Sequence, residues 1–247
     1  MSDLNETLAA IRGVEGWMSD DQARALWGRA AALASGSQIV EIGSYRGRSA
    51  IVLARAAAGS GAHLTAIDPH AGNDRGPRQI EGSPDEGEED HSAFRENLSR
   101  AGVAGAVRHV RRPSQDALEA VQGPLDLLYV DGAHRYRPAR DDIANWGERV
   151  RPGGHLMVHD AFSSVGVTLA QLRLLLAGSR FRYVGRAGSL VDYRREDLDA
   201  RGRMRNAARQ LAQLPWFARN LVVKLAILAK LTPLARALGH SEGPWPY

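Results

Sequence analysis

The chain has 247 residues, 44% of them hydrophobic and 24% charged, the make-up of an ordinary globular protein with room for one large α/β core and an appendage. It has no cysteine, which excludes disulfides, thiolate metal sites, iron–sulfur clusters and a thiol nucleophile, and which is compatible with a reducing compartment. The net charge of +4 hides an asymmetry: residues 201–247 hold eight basic residues against one acid (+7), so the first 200 sit at −3 and offer no basic body to grip nucleic acid.

Met1–Ala10 is polar and acidic, without a basic end followed by an apolar run, so no export signal is expected and a cytoplasmic location is. Glu6–Ser35 reads as helical, with Trp17 and Trp27 as packing anchors, and makes an N-terminal segment over residues 1–35. From there, short apolar runs alternate with helical stretches. Strands are expected at Gln38–Gly43, His63–Ile67, Val107–Val110, Leu125–Asp131 and His155–Asp160, with two more at Phe181–Val184 and Ser189–Tyr193. Helices are expected at Arg48–Ala58, Ser92–Ala101, Ser114–Val121, Pro138–Val150 and Val167–Leu176, and the acidic run Gly82–Asp90 reads as a solvated loop. The alternation predicts an α/β fold over residues 36–195: a doubly wound, seven-stranded, mostly parallel sheet with helices on both faces. Ligands bind such sheets at the carboxyl ends of the strands, which here are marked by Gly43, Asp68, Asp131 and Asp160.

The first strand ends in Glu41-x-Gly43-x-x-x-Gly47, and Arg48–Ser49 opens a helix. Glycines let the chain turn sharply there and approach a ligand closely; alternatively they only shape a strand-to-helix turn. The dinucleotide pattern G-x-G-x-x-G is not met. The spacing instead resembles the first motif of class I S-adenosylmethionine-dependent methyltransferases, whose Rossmann-like fold the prediction matches. That resemblance implies cofactor contacts from Glu41, Gly43, Ser44, Gly47, Ser49 and Asp131. Asp68, at the tip of the next strand, can accept both ribose hydroxyls. Pro113–Ser–Gln–Asp116 is similar to the adenine-contacting segment of catechol-type O-methyltransferases, which points to Ser114 and Gln115, although Arg112–Pro113 departs from that pattern.

Asp131 ends one strand with His134 three residues on, and His159–Asp160 end the next. Adjacent strands lie about 4.8 Å apart, so the two acids can share a divalent cation, which relieves the repulsion of neighbouring buried carboxylates. The other reading has them bonded to cofactor or loop backbone. Together V-D-G-x-H-x-Y and G-G-x-x-x-x-H-D resemble the bacterial metal-dependent small-molecule methyltransferases, a group that includes sugar O-methyltransferases and a cephalosporin hydroxylase. The resemblance runs from about Val14 to Tyr193 and implies Asp131 and Asp160 as ligands of Mg2+ or Mn2+. An asparagine follows the second acid in catechol-type enzymes and Ala161 stands there here, so His159 is nominated as third ligand. His134 takes the place of the catechol-type lysine and is nominated as general base; the other reading has it cap the following helix or pair with Asp141 or Asp142.

The expected activity is S-adenosylmethionine-dependent O-methylation of a small-molecule or carbohydrate hydroxyl, with dimerisation implied by the resemblance. A hydroxylase-like enzyme of the same fold and a membrane-associated protein with a vestigial pocket are the rivals. His70–Glu89 reads either as a lid, with Asp74 and Arg75 near substrate, or as an insertion, and His70, His91, His109 and His155 as ordinary histidines. Residues 196–247 form a basic helical tail whose Leu211, Leu214, Phe217, Leu221, Leu225 and Leu228 make one apolar stripe. The stripe either packs on the domain or a second subunit, or lies peripherally on the inner face of an anionic membrane; nucleic acid is not an expected partner. The run Leu221–Leu231 is too short and too charged to span a bilayer.

Overall fold

The computed structural model describes residues 3–73, 81–178 and 180–240. Two helices come first, α1 (Leu4–Ile11) and α2 (Asp20–Ala31). The single helical run expected over Glu6–Ser35 is therefore broken. Ser19 caps α2 through a reciprocal pair with Gln22, and Gly16 (φ +151°) takes a conformation that L side chains rarely adopt. Then follow β1 (Gln38–Ile42), α3 (Arg48–Ala58), β2 (His63–Ile67), α4 (Pro84–Arg100), β3 (Val107–Val110), β4 (Leu125–Val130), α5 (Tyr136–Gly147), β5 (Val150–Val158), α6 (Val165–Leu175), β6 (Phe181–Ala187) and β7 (Leu190–Arg195). The tail forms α7 (Ala200–Leu211), α8 (Leu214–Leu228) and α9 (Thr232–Ala237).

The sheet runs β3-β2-β1-β4-β5-β7-β6. Its first five strands are parallel and β7 is antiparallel to both its neighbours. Side chains alternate between two layers as a two-residue period requires. Leu127 and Tyr129 join the core formed with α1–α4, whereas Leu128 and Val130 join the core of α5, α6, Trp146 and Phe162. Burial on both faces is why these strands read as continuous apolar runs.

Two local expectations are corrected. The acidic stretch after Gly82 is helical from Pro84 onward, since Pro at the first turn and Asp85 and Glu86 beside the helix's positive end favour initiation. Ser114–Val121 is not an α-helix but two short 3-10 turns, Ser114–Asp116 and Leu118–Ala120. Asp74 and Arg75 lie outside the described residues.

The tail follows the expected stripe only in part. Leu214 and Phe217 pack on the core beside Trp216, whereas Leu225 and Leu228 are 65% and 73% exposed, Leu211 is exposed as well, and the buried positions include the polar Asn206, Gln210 and Asn220. Asn206 accepts from the Tyr183 N–H (2.6 Å) and donates to the Phe181 carbonyl (3.0 Å). Gln210 accepts from the Tyr193 hydroxyl (3.0 Å) and donates to the Leu175 carbonyl (3.2 Å). Hydrogen bonds, more than apolar contact, hold α7 against the sheet.

Candidate active site

A cavity of about 430 Å³ opens over the carboxyl ends of the parallel strands. Its lining follows the sheet order: Pro113–Gln115 after β3, Asp68 and His70 after β2, Gly43–Tyr45 after β1, Asp131–His134 after β4, and His159–Asp160 after β5. Ser49 at the start of α3 completes that wall. Of the sequence-predicted residues, Glu41 and Gly47 stand behind the lining. Glu41 is fully buried beneath the loop and accepts from the Ser49 hydroxyl. Gly47 caps α3 with a left-handed backbone (φ +88°), and a Cβ there would come within 3.2 Å of the Phe94 ring.

The loop after β1 is braced by Asp68. Its Oδ2 accepts from the backbone N–H groups of Ser44 (2.8 Å) and Tyr45 (2.9 Å), and its Oδ1 from that of His70 (2.7 Å). Asp68 thus shapes the glycine loop as well as facing the cavity. Burial pushes the Glu41 carboxyl up to about 8, against the opposing Ser49 hydrogen bond and helped by the charges of Asp131 and Asp68.

At the other side Asp131, His134 and Asp160 converge, with one ligand atom of each lying within 4.8 Å of the others. The Asp131 N–H donates to Ile42 O (2.8 Å) and the His159 N–H to Val130 O (2.9 Å), which fixes the two strand tips side by side. His134 Nε2 stands 2.7 Å from Asp160 Oδ2, so its partner is neither Asp141 nor Asp142. His159 Nδ1 lies 3.0 Å from Asp131 Oδ1 and 3.7 Å from Asp160 Oδ2, and the Tyr129 hydroxyl donates to Asp131 Oδ2 (2.7 Å). Burial disfavours charge on both His159 and Asp160. The attraction between them and their charged neighbours outweighs it, raising the imidazole well above its ordinary value and lowering the carboxyl well below. Asp160 (φ 54°) and Phe162 (φ 55°) hold left-handed backbone in this turn, as do Tyr45 (φ 45°) and His70 (φ 47°) across the cavity. Such strain gathers where surrounding structure over-determines a functional geometry.

The Asp131 and Asp160 carboxylates at adjacent strand tips suit a divalent cation such as magnesium or manganese; the nitrogen that converges with them is that of His134, while His159, the nominated third ligand, lies against Asp131. The described donors therefore fit the group the sequence implies.

Several lining residues escaped the sequence analysis. Trp17, expected as a packing anchor, is 36% exposed and stacks on Tyr45 with ring centroids 5.3 Å apart. Glu15 lines the cavity beside it, bonded to the Tyr45 hydroxyl (3.0 Å) and to Arg46 (2.6 Å). Arg46 also binds Glu89 and Asp90, tying the segment between α1 and α2 to the start of α4. The signal that could have revealed this was the pair Gly13 and Gly16 followed by the Ser19-x-x-Gln22 capping box. Asp142 was considered only as a partner for His134. It accepts from the Ser114 hydroxyl instead, and burial lifts its carboxyl to about 6 against that hydrogen bond. His70, His91 and His109 are not isolated either, with ring centroids 5.1–5.3 Å from one another around Phe94. His155 bonds Asp192 (2.7 Å).

Residues 40–161 match the family described as a methyltransferase domain. The fold is similar to that of the methyltransferase PaMTH1 from Podospora anserina, solved with SAH, with a TM-score of 0.59 at 16% identity over 80% of this chain and 89% of that one. It is also similar to an O-methyltransferase from Bacillus cereus solved with SAH (TM-score 0.53, 19% identity, 78% and 90% of the two chains). A third likeness is to the O-methyltransferase TomG from Streptomyces achromogenes, involved in tomaymycin synthesis and solved with SAM (TM-score 0.52, 20% identity, 78% and 88%). At these identities the likeness speaks for the fold.

Proposed function

We propose that this chain, whose residues 40–161 match a methyltransferase domain, is a class I S-adenosylmethionine-dependent methyltransferase that methylates a hydroxyl of a sugar, glycoside or other small molecule with the help of a divalent cation. The observation that carries this reading is the convergence of Asp131, His134 and Asp160 in the wall of the cavity that the glycine loop and Asp68 also line. The similar folds solved with SAM or SAH support the cofactor, and two of those neighbours are named as O-methyltransferases.

The residues divide the work by position. Gly43 and Ser44 let the backbone come close to the cofactor, and Asp68 faces the ribose while keeping the loop in shape. Ser114 and Gln115 face the adenine, with Asp142 holding the Ser114 hydroxyl. Asp131 and Asp160 hold the cation, with His159 behind them against Asp131. The cofactor would supply an electrophilic methyl group, and the cation would supply Lewis acidity that makes the acceptor hydroxyl easier to deprotonate. His134 donates from Nε2 to Asp160, so Nδ1 would be the atom that takes the hydroxyl proton, and Asp160 would steady the imidazolium that results. Trp17 and Tyr45, stacked on each other, line the cavity and add aromatic surface suited to the apolar side of a sugar ring.

The test is transfer of labelled methyl from S-adenosylmethionine to a panel of free and partly methylated sugars, with magnesium or with EDTA. Transfer that stops with EDTA, and falls by about a hundredfold or more in Asp160→Ala, is the expected result. Transfer indifferent to EDTA overturns the metal. Oxygen consumption without methyl transfer overturns the reaction.

A further inference from the structure

Eight of the eleven exposed large apolar side chains among the described residues lie between Met204 and Leu234. A tail that merely packed on its domain would bury them. Here they stay outside, while the buried positions of α7 and α8 include Asn206, Gln210 and Asn220 and, among the described residues, only Leu214, Trp216 and Phe217 of the tail's large apolar side chains pack on the main core. On α8 the outward positions Val222, Leu225 and Leu228 recur at three-residue spacing, and Leu231 and Leu234 continue the exposed apolar surface into α9. Val223 and Ala226 of α8 meet Ala235 of α9 underneath, so the two helices form a small unit of their own with the leucines outside.

The charge carried by the same tail bears on what covers this face. Residues 201–247 carry eight basic groups against one acid. Arg201, Arg203 and Arg205 are exposed on α7, and Lys230 is exposed between α8 and α9. A second copy of the chain set against this surface would bring two segments of the same strong positive charge together. An anionic surface removes that repulsion and takes up the leucines at the same time.

We propose that α8 and α9 seat the protein on an anionic lipid bilayer, with Val222, Leu225, Leu228, Leu231 and Leu234 entering the interface and the exposed Arg201, Arg203, Arg205 and Lys230 facing the lipid phosphates. The run Ala200–Leu228 is long and apolar enough to cross a membrane by length and composition. Its hydrogen bonds into the domain through Asn206, Gln210 and Asn220 instead keep it alongside the sheet, in the posture of a helix lying on a surface. The seat is directly linked to the cavity. Asn220 donates to Phe162 O (3.0 Å) and Lys224 Nζ to Ser163 O (2.9 Å), within three residues of Asp160.

The test is co-sedimentation of the full chain with phosphatidylcholine vesicles, with and without phosphatidylglycerol. A Leu225→Glu/Leu228→Glu double variant, changed only at exposed positions, is compared by near-ultraviolet circular dichroism to show that its fold is kept. Wild type is expected to pellet with the phosphatidylglycerol vesicles, to release as salt rises, and to bind at least about tenfold more weakly in the double variant. Wild type remaining in the supernatant overturns the proposal. So does equal binding to phosphatidylcholine alone. A dimer in sedimentation velocity that the double variant dissociates also overturns it, by assigning the face to a second copy.

Discussion

Gly43 has φ +84°, and a Cβ there would collide with the backbone carbonyl of Asp131 on the neighbouring strand. Both the left-handed backbone and the missing side chain are needed, because the chain turns here between β1 and the cavity. Gly43→Ala is expected to cost about 2 kcal/mol or more and to abolish cofactor binding, read by thermal unfolding and by calorimetric titration with S-adenosylmethionine. Glu41, just behind, offers a test of different character. With its carboxyl raised to about 8, it is mostly protonated at neutral pH in the cofactor-free protein. A cationic cofactor lodged above it favours the carboxylate, so binding at pH 7 should release protons. Titrations in two buffers of different ionisation heat measure that release, and Glu41→Gln should remove it. The sign of the stability effect follows from linkage. Below about pH 4.5 folded and unfolded chains both hold the proton, and between there and about 8 the unfolded chain loses it first, so Glu41 lowers stability as pH rises through that window. At this scale the polar strand tips were readable, since an acid or glycine ending an apolar run has few structural uses. The partners were not: nothing in the spacing said that Asp68 would hold the backbone of Ser44 and Tyr45, or that Asp142 would take Ser114 in place of His134.

Secondary-structure elements were legible where one periodicity prevailed, and lost where two signals competed. The strand β2 and the helix α3 fall on the expected residues because an unbroken apolar pattern is bounded by polar or glycine residues on both sides. The break between α1 and α2 was missed because hydrophobic spacing carried across Gly13 and Gly16, and with it went the one aromatic side chain of that segment that faces the cavity, Trp17. The acidic stretch before Ser92 was read by its composition, whereas its first-turn carboxylates at a helix start were the better guide. In α7 the hydrophobic rule fails outright, since Asn206 and Gln210 are the residues that turn inward. Asn206→Ala removes both partners of buried backbone groups in β6. It is expected to destabilise the protein by about 1–3 kcal/mol, visible as a lower urea midpoint with unchanged slope. Met204, two residues away on the exposed side of α7, is the matching control, with an expected change within about 0.5 kcal/mol for Met204→Ala.

For the whole molecule, chain order alone carried the architecture: strands and helices in alternation permit few arrangements, and the doubly wound sheet with its ligand side at the strand tips is the common one. What alternation could not convey is the insertion of β7 between β5 and β6, which depends on a late hairpin folding back into the sheet, and the way the tail attaches. That attachment has a consequence for how the molecule behaves in a crowd. The insertion of β7 leaves β6 as the outermost strand at that end, with the Tyr183 N–H and the Phe181 carbonyl directed outward, an open invitation for a strand from another chain to add on. One amide side chain answers both groups at once, imitating the backbone of the missing neighbour. Asn206 therefore caps part of the open edge as well as bracing α7, occupying two of the backbone groups an eighth strand would need.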